Sequence, residues 1–270
     1  MELIFLNLTK NIDYYFSTSP NINEKIYNKP KQNNKVHSLL LGPLLVPIKW
    51  FRFPNIYHWE ERRFRDILSS VKGVVVHSIR VRDHLAKRSN TIDLLNKFII
   101  FRACSYNMPK KIKPFRKRKI DILLYLKYAD INRREQGKIL FELLKSTNKS
   151  IEILKSGHYK RDYLINLASN SKFVIFFSFY DTGAIALKEI QNYGVITFSL
   201  QKDLVVSDET GYYIPELDDN NIEKAFDKIM EIINDKMKKI PNSRKIAKIN
   251  QGINKCQKAL DDICNGILYN

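Results

Sequence analysis

The part of this sequence best suited to chemistry is a polar loop that contains one acidic residue and is followed by a second acidic residue. Residues 176–198 read FFSFYDTGAIALKEIQNYGVITF, with seven residues between Asp181 and Glu189. A buried strand is predicted to end in this loop and a helix to begin at Gly183. Small side chains at Gly183 and Ala184 would let an anion reach the unpaired N–H groups of that helix, whose N-terminus favours a phosphate. An N-cap role for Asp181 and a surface position for Glu189 are the structural alternative.

Alternating strand and helix patterns surround this loop and predict a parallel, doubly wound sheet. The second half of the chain predicts strands at 120–126, 150–154, 172–177 and 195–198, and helices at 135–145, 159–168, 183–192 and 222–233. Three residues ahead of the last helix are N-cap candidates, Asp218, Asp219 and Asn220. The first half predicts strands at 3–8, 38–46, 73–77 and 98–101, and a helix at 59–70.

The stretch between these halves, residues 108–119, reads MPKKIKPFRKRK and contains two prolines and no acid, which is typical of a linker. We therefore predict an N-terminal Rossmann-like domain over 1–107, a basic linker over 108–119 and a C-terminal Rossmann-like domain over 120–250. A C-terminal helix over 251–270 is expected to pack back on the first domain. Two such domains facing each other suggest a ligand in the cleft between them.

Composition narrows the class of protein. The 270 residues are 44% hydrophobic, which excludes a disordered or collagen-like chain. Three cysteines without CxxC spacing argue against a zinc site or a disulfide framework and favour a reducing compartment. No signal peptide is recognisable, and the apolar stretch 39–48 is too short to cross a bilayer. We expect a cytoplasmic protein that is soluble or peripherally membrane-associated.

The net charge is strongly positive, with 46 Lys+Arg against 28 Asp+Glu and a formal charge of +18. Such a charge fits nucleic acid, an anionic membrane surface or a phosphate-rich substrate, and it also fits an ordinary solvated basic surface. The cationic clusters match no common nucleic-acid-binding motif. Charge alone leaves these alternatives open.

Three segments together resemble the retaining glycosyltransferases of the two-domain B fold, in particular glycosyltransferase family 4. The family carries an acid, seven intervening residues, a Glu, a small-residue turn and an apolar strand, matched here from Asp181 through Glu189 to Gly194-Val195-Ile196. Residues 207–215, SDETGYYIP, are similar to the family segment before its next helix. Residues 73–85, GVVVHSIRVRDHL, are similar to a segment of its N-terminal domain. The family usually has Glu and Gly where this chain has Asp181 and Thr182.

The resemblance implies a set of residues that bind the donor. Two cations would contact the donor diphosphate, Lys127 at the end of a strand and Arg133 six residues later, together with the amides of Gly183 and Ala184. Lys127 replaces the usual Arg, which keeps the charge and loses bidentate geometry. Gly157 fits the family's glycine turn near the nucleotide.

By the same resemblance, the two acids have binding roles. Glu189 would accept hydrogen bonds from the ribose hydroxyls, and Asp181 would contact hydroxyls of the donor sugar. Two histidines, His77 and His58, are candidates for the acceptor side, although a structural role is the alternative for each. The sequence has no Asp-x-Asp motif, which fits metal-independent transfer in which protein cations stabilise the leaving diphosphate.

The expected function is thus that of a retaining, metal-independent glycosyltransferase with a nucleotide-diphosphate-sugar donor. GDP-mannose is favoured over a UDP-sugar because of the donors that members of the resembled family use. Its acceptor would be a glycan, a protein or a lipid, with an anionic membrane surface and a homodimer as further expected partners. The short first domain is compatible with a compact, virus-encoded enzyme. Two alternatives remain, a basic module that binds nucleic acid or membranes and an inactive transferase-like scaffold.

Overall fold

A computed structural model describes the chain at residues 14–17, 36–40, 65, 73–76, 79–88, 90–100, 105, 107–127, 131–178, 184–205, 207, 209–217 and 221–254. The chain divides into two compact units, Met1–Ala103 with Gln257–Asn270, and Cys104–Cys256. The predicted strand at 3–8 lies outside the described residues, as do most of the helices predicted at 59–70 and 251–270.

The first unit contains a parallel sheet. Its strands are β1 (Tyr14–Ser17), β2 (Val36–Leu40), β3 (Gly73–Val76) and β4 (Phe98–Ile100), and they lie in that order. Helix α1 (Ile79–Arg88) follows β3, and a 3-10 helix, Ile92–Lys97, leads into β4. Arg65 donates to both carboxylate oxygens of Asp93, which lies in the first turn of that 3-10 helix. Strand β1 was not foreseen in the sequence.

The second unit contains a longer parallel sheet. Four of its strands begin and end close to their predicted bounds, and the last, short strand was not predicted. They are β5 (Ile120–Lys127), β6 (Ile151–Lys155), β7 (Ser171–Ser178), β8 (Ile196–Ser199) and β9 (Gly211–Tyr213). The spatial order is β6-β5-β7-β8-β9. Apolar residues fill the middle of β5 and β7 because these central strands are buried on both faces. The predicted α/β class with parallel sheets is confirmed.

Helices cover both faces of this sheet. On one face Ile122, Leu124 and Leu126 pack against α2 (Ile131–Lys145), α5 (Ile222–Lys239) and α6 (Ser243–Ile253). On the other face Leu123 and Tyr125 pack against α3 (Arg161–Asn170) and α4 (Ile185–Gln191). The alternation along β5 thus produces the two hydrophobic cores of a doubly wound fold.

The N-cap of α5 is Asn221, whose side chain accepts a hydrogen bond from the N–H of Lys224. The three candidates named from the sequence, residues 218–220, precede this position and lie outside the described residues. Asn, like Asp, is a preferred N-cap residue, so the composition of the segment could not choose among four adjacent candidates.

Residues 108–119, predicted as a linker, belong to the second unit and contribute to its core. Phe115 is buried and packs edge-on against Phe173. Arg118 is also buried and donates to the backbone carbonyls of Lys113, Ser171, Tyr193 and Gly194. Burial lowers the pKa of Arg118 to about 10, so the guanidinium remains charged at neutral pH. Arg118 therefore fixes this segment to the amino ends of the strands.

Within the described residues, no helix is long and apolar enough to cross a membrane.

Candidate functional site

The carboxyl ends of β5 and β7 meet at the point where the chain order of the sheet reverses. Lys127 ends β5 and lies in register with Ser178, the last residue of β7. The order β6-β5-β7-β8-β9 is the flavodoxin-like 2-1-3-4-5 order, in which the first and third strands flank the topological switch point. Open parallel sheets bind ligands at this point. The structure therefore places Lys127, a predicted diphosphate contact, at the expected binding edge.

A glycine turn follows the neighbouring strand β6. Gly157 has a φ of +80°, and no described atom lies within 4 Å of the position that a Cβ would occupy. The N–H of Ser156 donates to the carbonyl of Leu126 at 2.9 Å, so the turn lies against the end of β5. The left-handed backbone explains the glycine, and the open space above it is compatible with the predicted nucleotide contact.

Helix α4 carries Glu189 and follows β7. Its N-cap residue, Ala184, is buried and has left-handed φ and ψ of 38° and 35°. The helix begins at Ile185, two residues later than predicted, and Asp181 and Gly183 lie outside the described residues. The roles of these two residues, and of the Ala184 amide, therefore stay predictions.

Glu189 is held by a cation that was not anticipated from the sequence. Its side chain is only 11% exposed, and its Oε1 atom accepts a hydrogen bond from Nη2 of Arg161 at 2.8 Å. Arg161 is the first residue of α3 and is 61% exposed. Because α3 begins after the carboxyl end of β6, the pair lies on the side of the sheet where Lys127 ends β5. Arg161 contacts one of the two carboxylate oxygens, and the predicted contact of Glu189 with the ribose hydroxyls stays a prediction.

The remainder of α4 is locked to its surroundings by buried polar groups. The Gln191 side chain donates to the carbonyl of Leu204 at 2.8 Å, and the Asn250 side chain donates to the carbonyl of Gln191 at 2.8 Å. At Gly194, just after the helix, a Cβ would lie 2.1 Å from the backbone oxygen of Ser243 in α6. This close packing fixes the helix that presents Glu189, a precondition for a precise binding site.

Other predicted site residues are described only in part or not at all. Arg133 lies in the first turn of α2, but its side chain is not among those described. His77 and His58 lie outside the described residues. No cluster of three or more His, Cys, Asp or Glu side chains suited to a metal ion occurs in the described ranges. The metal independence of the chemistry stays a prediction.

A cavity of about 420 Å³ opens at the opposite, amino edge of the second sheet. Lys119, Glu152 and Tyr163 are among its lining residues. It lies about 23 Å from Lys127 along β5, given about 3.3 Å per residue over the strand. The cavity is thus separate from the candidate site.

No protein-family model matches the sequence, and none of the curated proteins matches it. Solved structures do. TarM is 15% identical with a TM-score of 0.60 over 94% of this chain and 54% of that chain. The lipopolysaccharide outer core galactosyltransferase WaaB is 10% identical with a TM-score of 0.63 over 96% of this chain and 76% of that chain. Sucrose-phosphate synthase from Thermosynechococcus elongatus is 12% identical with a TM-score of 0.57 over 90% of this chain and 69% of that chain.

These likenesses establish the fold. The chain has the GT-B fold of glycosyltransferases, as the motif resemblance predicted. It spans about half the length of the TarM structures, one of them from S. aureus. Membership of family 4 and a viral origin stay predictions.

Proposed function

We propose that this protein is a retaining, metal-independent glycosyltransferase that uses a nucleotide-diphosphate-sugar donor. The observation that carries the proposal is the placement of Lys127 and Glu189 at the binding edge of an open parallel sheet. One group is a cation at the switch point, and the other is an oriented carboxylate held by Arg161. A nucleotide diphosphate needs both, because its phosphates are anionic and its ribose hydroxyls are hydrogen-bond donors.

In the proposed reaction the acceptor oxygen bonds to the anomeric carbon as the bond from that carbon to the diphosphate breaks. Negative charge grows on the departing diphosphate, and Lys127 and Arg133 would stabilise it in place of a metal ion. The acceptor proton leaves with the diphosphate. Attack on the face from which the diphosphate departs would retain the anomeric configuration, as the family resemblance implies. Asp181 would hold the donor sugar through its hydroxyls.

The donor is proposed at the level of its class, with two candidates. The sequence resemblance favours GDP-mannose. Among proteins of the same fold, one TarM structure is a complex with UDP, and WaaB is described as a galactosyltransferase. Both base and sugar must therefore be tested. The acceptor is proposed to be a hydroxyl of a glycan, a protein or a lipid.

Calorimetry with a panel of GDP- and UDP-sugars tests the donor. We expect micromolar-range binding of at least one of them, and a loss of about tenfold to a hundredfold for Glu189→Ala, since a hydrogen bond to a charged group contributes about 1.5–3 kcal/mol. Unchanged affinity in Glu189→Ala would remove Glu189 from the site, and no binding of any nucleotide sugar would overturn the proposal.

Turnover and metal dependence need separate assays. Transfer of a radiolabelled sugar to candidate acceptors distinguishes an enzyme from an inactive scaffold, which would bind the donor without transferring it. Activity should persist in excess EDTA, and its loss with recovery on adding back a divalent cation would contradict the metal-free mechanism. The anomeric configuration of the product tests retention.

A further inference from the structure

The second unit carries a concentration of positive charge at the amino ends of its strands, opposite the proposed donor site at their carboxyl ends. Seven of its Lys and Arg residues lie within residues 108–119, and no acid interrupts them. Five of the seven are exposed, and we call them the basic face: Lys110, Lys111, Arg116, Lys117 and Lys119. The two sites are separated by the length of β5, about 23 Å, so these cations cannot act on the donor diphosphate.

The basic face is held rigidly. Phe115, between Lys111 and Arg116, is anchored in the core. Arg118 donates hydrogen bonds to the carbonyls of Ser171, at the start of β7, and Tyr193, ahead of β8. Like charges repel, so this arrangement is maintained at a cost that the buried anchors offset. None of the five cations forms an ion pair with another described residue.

Neighbouring elements extend the positive surface. The carbonyl of Lys119 accepts a hydrogen bond from the Ser150 hydroxyl at 2.8 Å, so the turn containing Lys149 adjoins it. Arg118 contacts Gly194, against which the start of α6 packs, and the exposed Arg244 lies there. Nearby Asp121 is already paired with Lys172 at 2.6 Å. The exposed Glu152 lines the same cavity as Lys119 and offsets one of the five charges, so the surface stays net positive.

We propose that the basic face binds the anionic headgroups of a lipid bilayer, so that the enzyme works at a membrane surface. Four of the five cations are lysines, which act as compact point charges suited to a diffuse headgroup layer. The aromatic residue of the segment, Phe115, is buried and offers no platform for stacking bases. Tyr163, which is 45% exposed and lines the same cavity as Lys119, is the kind of residue that lies at membrane interfaces.

Vesicle sedimentation of the full chain tests the proposal. We expect binding to phosphatidylcholine vesicles that contain about one-third phosphatidylglycerol, little binding to pure phosphatidylcholine, and loss of binding at about 0.5 M salt, where charges are screened within a few ångströms. The triple variant Lys110→Gln, Lys111→Gln, Lys117→Gln should bind about 100-fold more weakly, since each lysine near an anionic surface contributes about a factor of five.

Two matched variants control for net charge and for folding. The triple variant Lys138→Gln, Lys202→Gln, Lys224→Gln, at residues exposed on other helices, removes the same charge and should leave binding within about threefold. The triple variant Lys110→Arg, Lys111→Arg, Lys117→Arg keeps the charge and should bind vesicles as the parent protein does. Equal losses in the two Gln triples, or no vesicle binding by the parent protein, would overturn the proposal. So would tighter binding to a single-stranded RNA than to the vesicles at the same salt. Donor binding, measured separately, reports on the proposed function alone.

Discussion

The contact between Arg161 and Glu189 leads to a quantitative prediction about nucleotide recognition. Substituting Arg161→Met removes the cation that orients the Glu189 carboxylate while keeping most of the aliphatic side chain. Because Arg161 is 61% exposed, solvent screens the pair, and the free energy of unfolding should fall by less than about 1 kcal/mol. The carboxylate, at 11% exposed, would lose its fixed orientation. The substitution should therefore affect binding more than stability.

For donor affinity we expect Arg161→Met to raise the Kd about five- to tenfold. This is part of the effect expected for Glu189→Ala, since Arg161 positions an acceptor and does not itself receive the ribose hydroxyl. The conservative Arg161→Lys should recover part of the affinity. Adding Arg161→Met to Glu189→Ala should cost little more than Glu189→Ala alone, because the two residues act as a unit.

Calorimetry with a ribonucleoside diphosphate and its 2′,3′-dideoxy analogue distinguishes the possible roles of Arg161. If it acts through Glu189 on the ribose, the substitution should weaken binding of the ribonucleotide and leave the dideoxy analogue nearly unaffected. An equal loss for both would refute this reasoning and indicate contact with the diphosphate. No loss for either would show that Arg161 has no positioning role. The test rests on the proposed donor class, which parent-protein binding checks first.

Three further predictions concern stability in urea unfolding. Arg118→Met should lower the free energy of unfolding by about 3 kcal/mol, because several buried carbonyls lose their donor. Gly194→Ala should cost at least about 2 kcal/mol, because a Cβ would lie 2.1 Å from a backbone oxygen and φ is +71°. Burial alone would raise the pKa of Asp121, but hydrogen bonds from Lys172 and from the N–H of Ser150 lower the pKa overall, to below the ordinary value of an Asp carboxyl. The pair's stabilisation is therefore present above the ordinary carboxyl pKa and is lost as pH falls through the lowered pKa. Lys172→Gln should cost about 2 kcal/mol at pH 7 and progressively less as the pH is lowered into the acid range.

Controls for these predictions come from the same chain. Arg116→Met, in the exposed part of the segment that contains Arg118, should change stability by less than about 0.5 kcal/mol. Gly157→Ala also has a positive φ but meets no crowding, and about 1 kcal/mol is expected. Similar costs at Gly157 and Gly194 would mean that α6 can move aside. A pH-independent effect of Lys172→Gln would contradict the ionic basis of its pair with Asp121.

The sequence alone determined the alternation of strands and helices in the second unit. Its strands contain continuous apolar runs, such as 173–177, and buried parallel strands require such runs whatever lies beside them. The acid-x7-Glu spacing likewise indicated the helix that carries Glu189, and the strand-end position of Lys127 followed from the bounds of β5. These features are local, so a linear pattern contains them.

Only the tertiary structure decided which residues, distant in sequence, are in contact. Arg161 and Glu189 are 28 residues apart, and the sequence of neither helix indicates that the two side chains are in contact. In a basic stretch Arg118 resembles its exposed neighbours, yet it is buried because the carbonyls of Ser171 and Tyr193 converge on it. Strand order, too, is set by packing of helices on both faces, and it places Lys127 at the switch point while it places the basic face at the far edge. Charge and spacing are properties of the chain, whereas proximity and burial arise only when its elements pack.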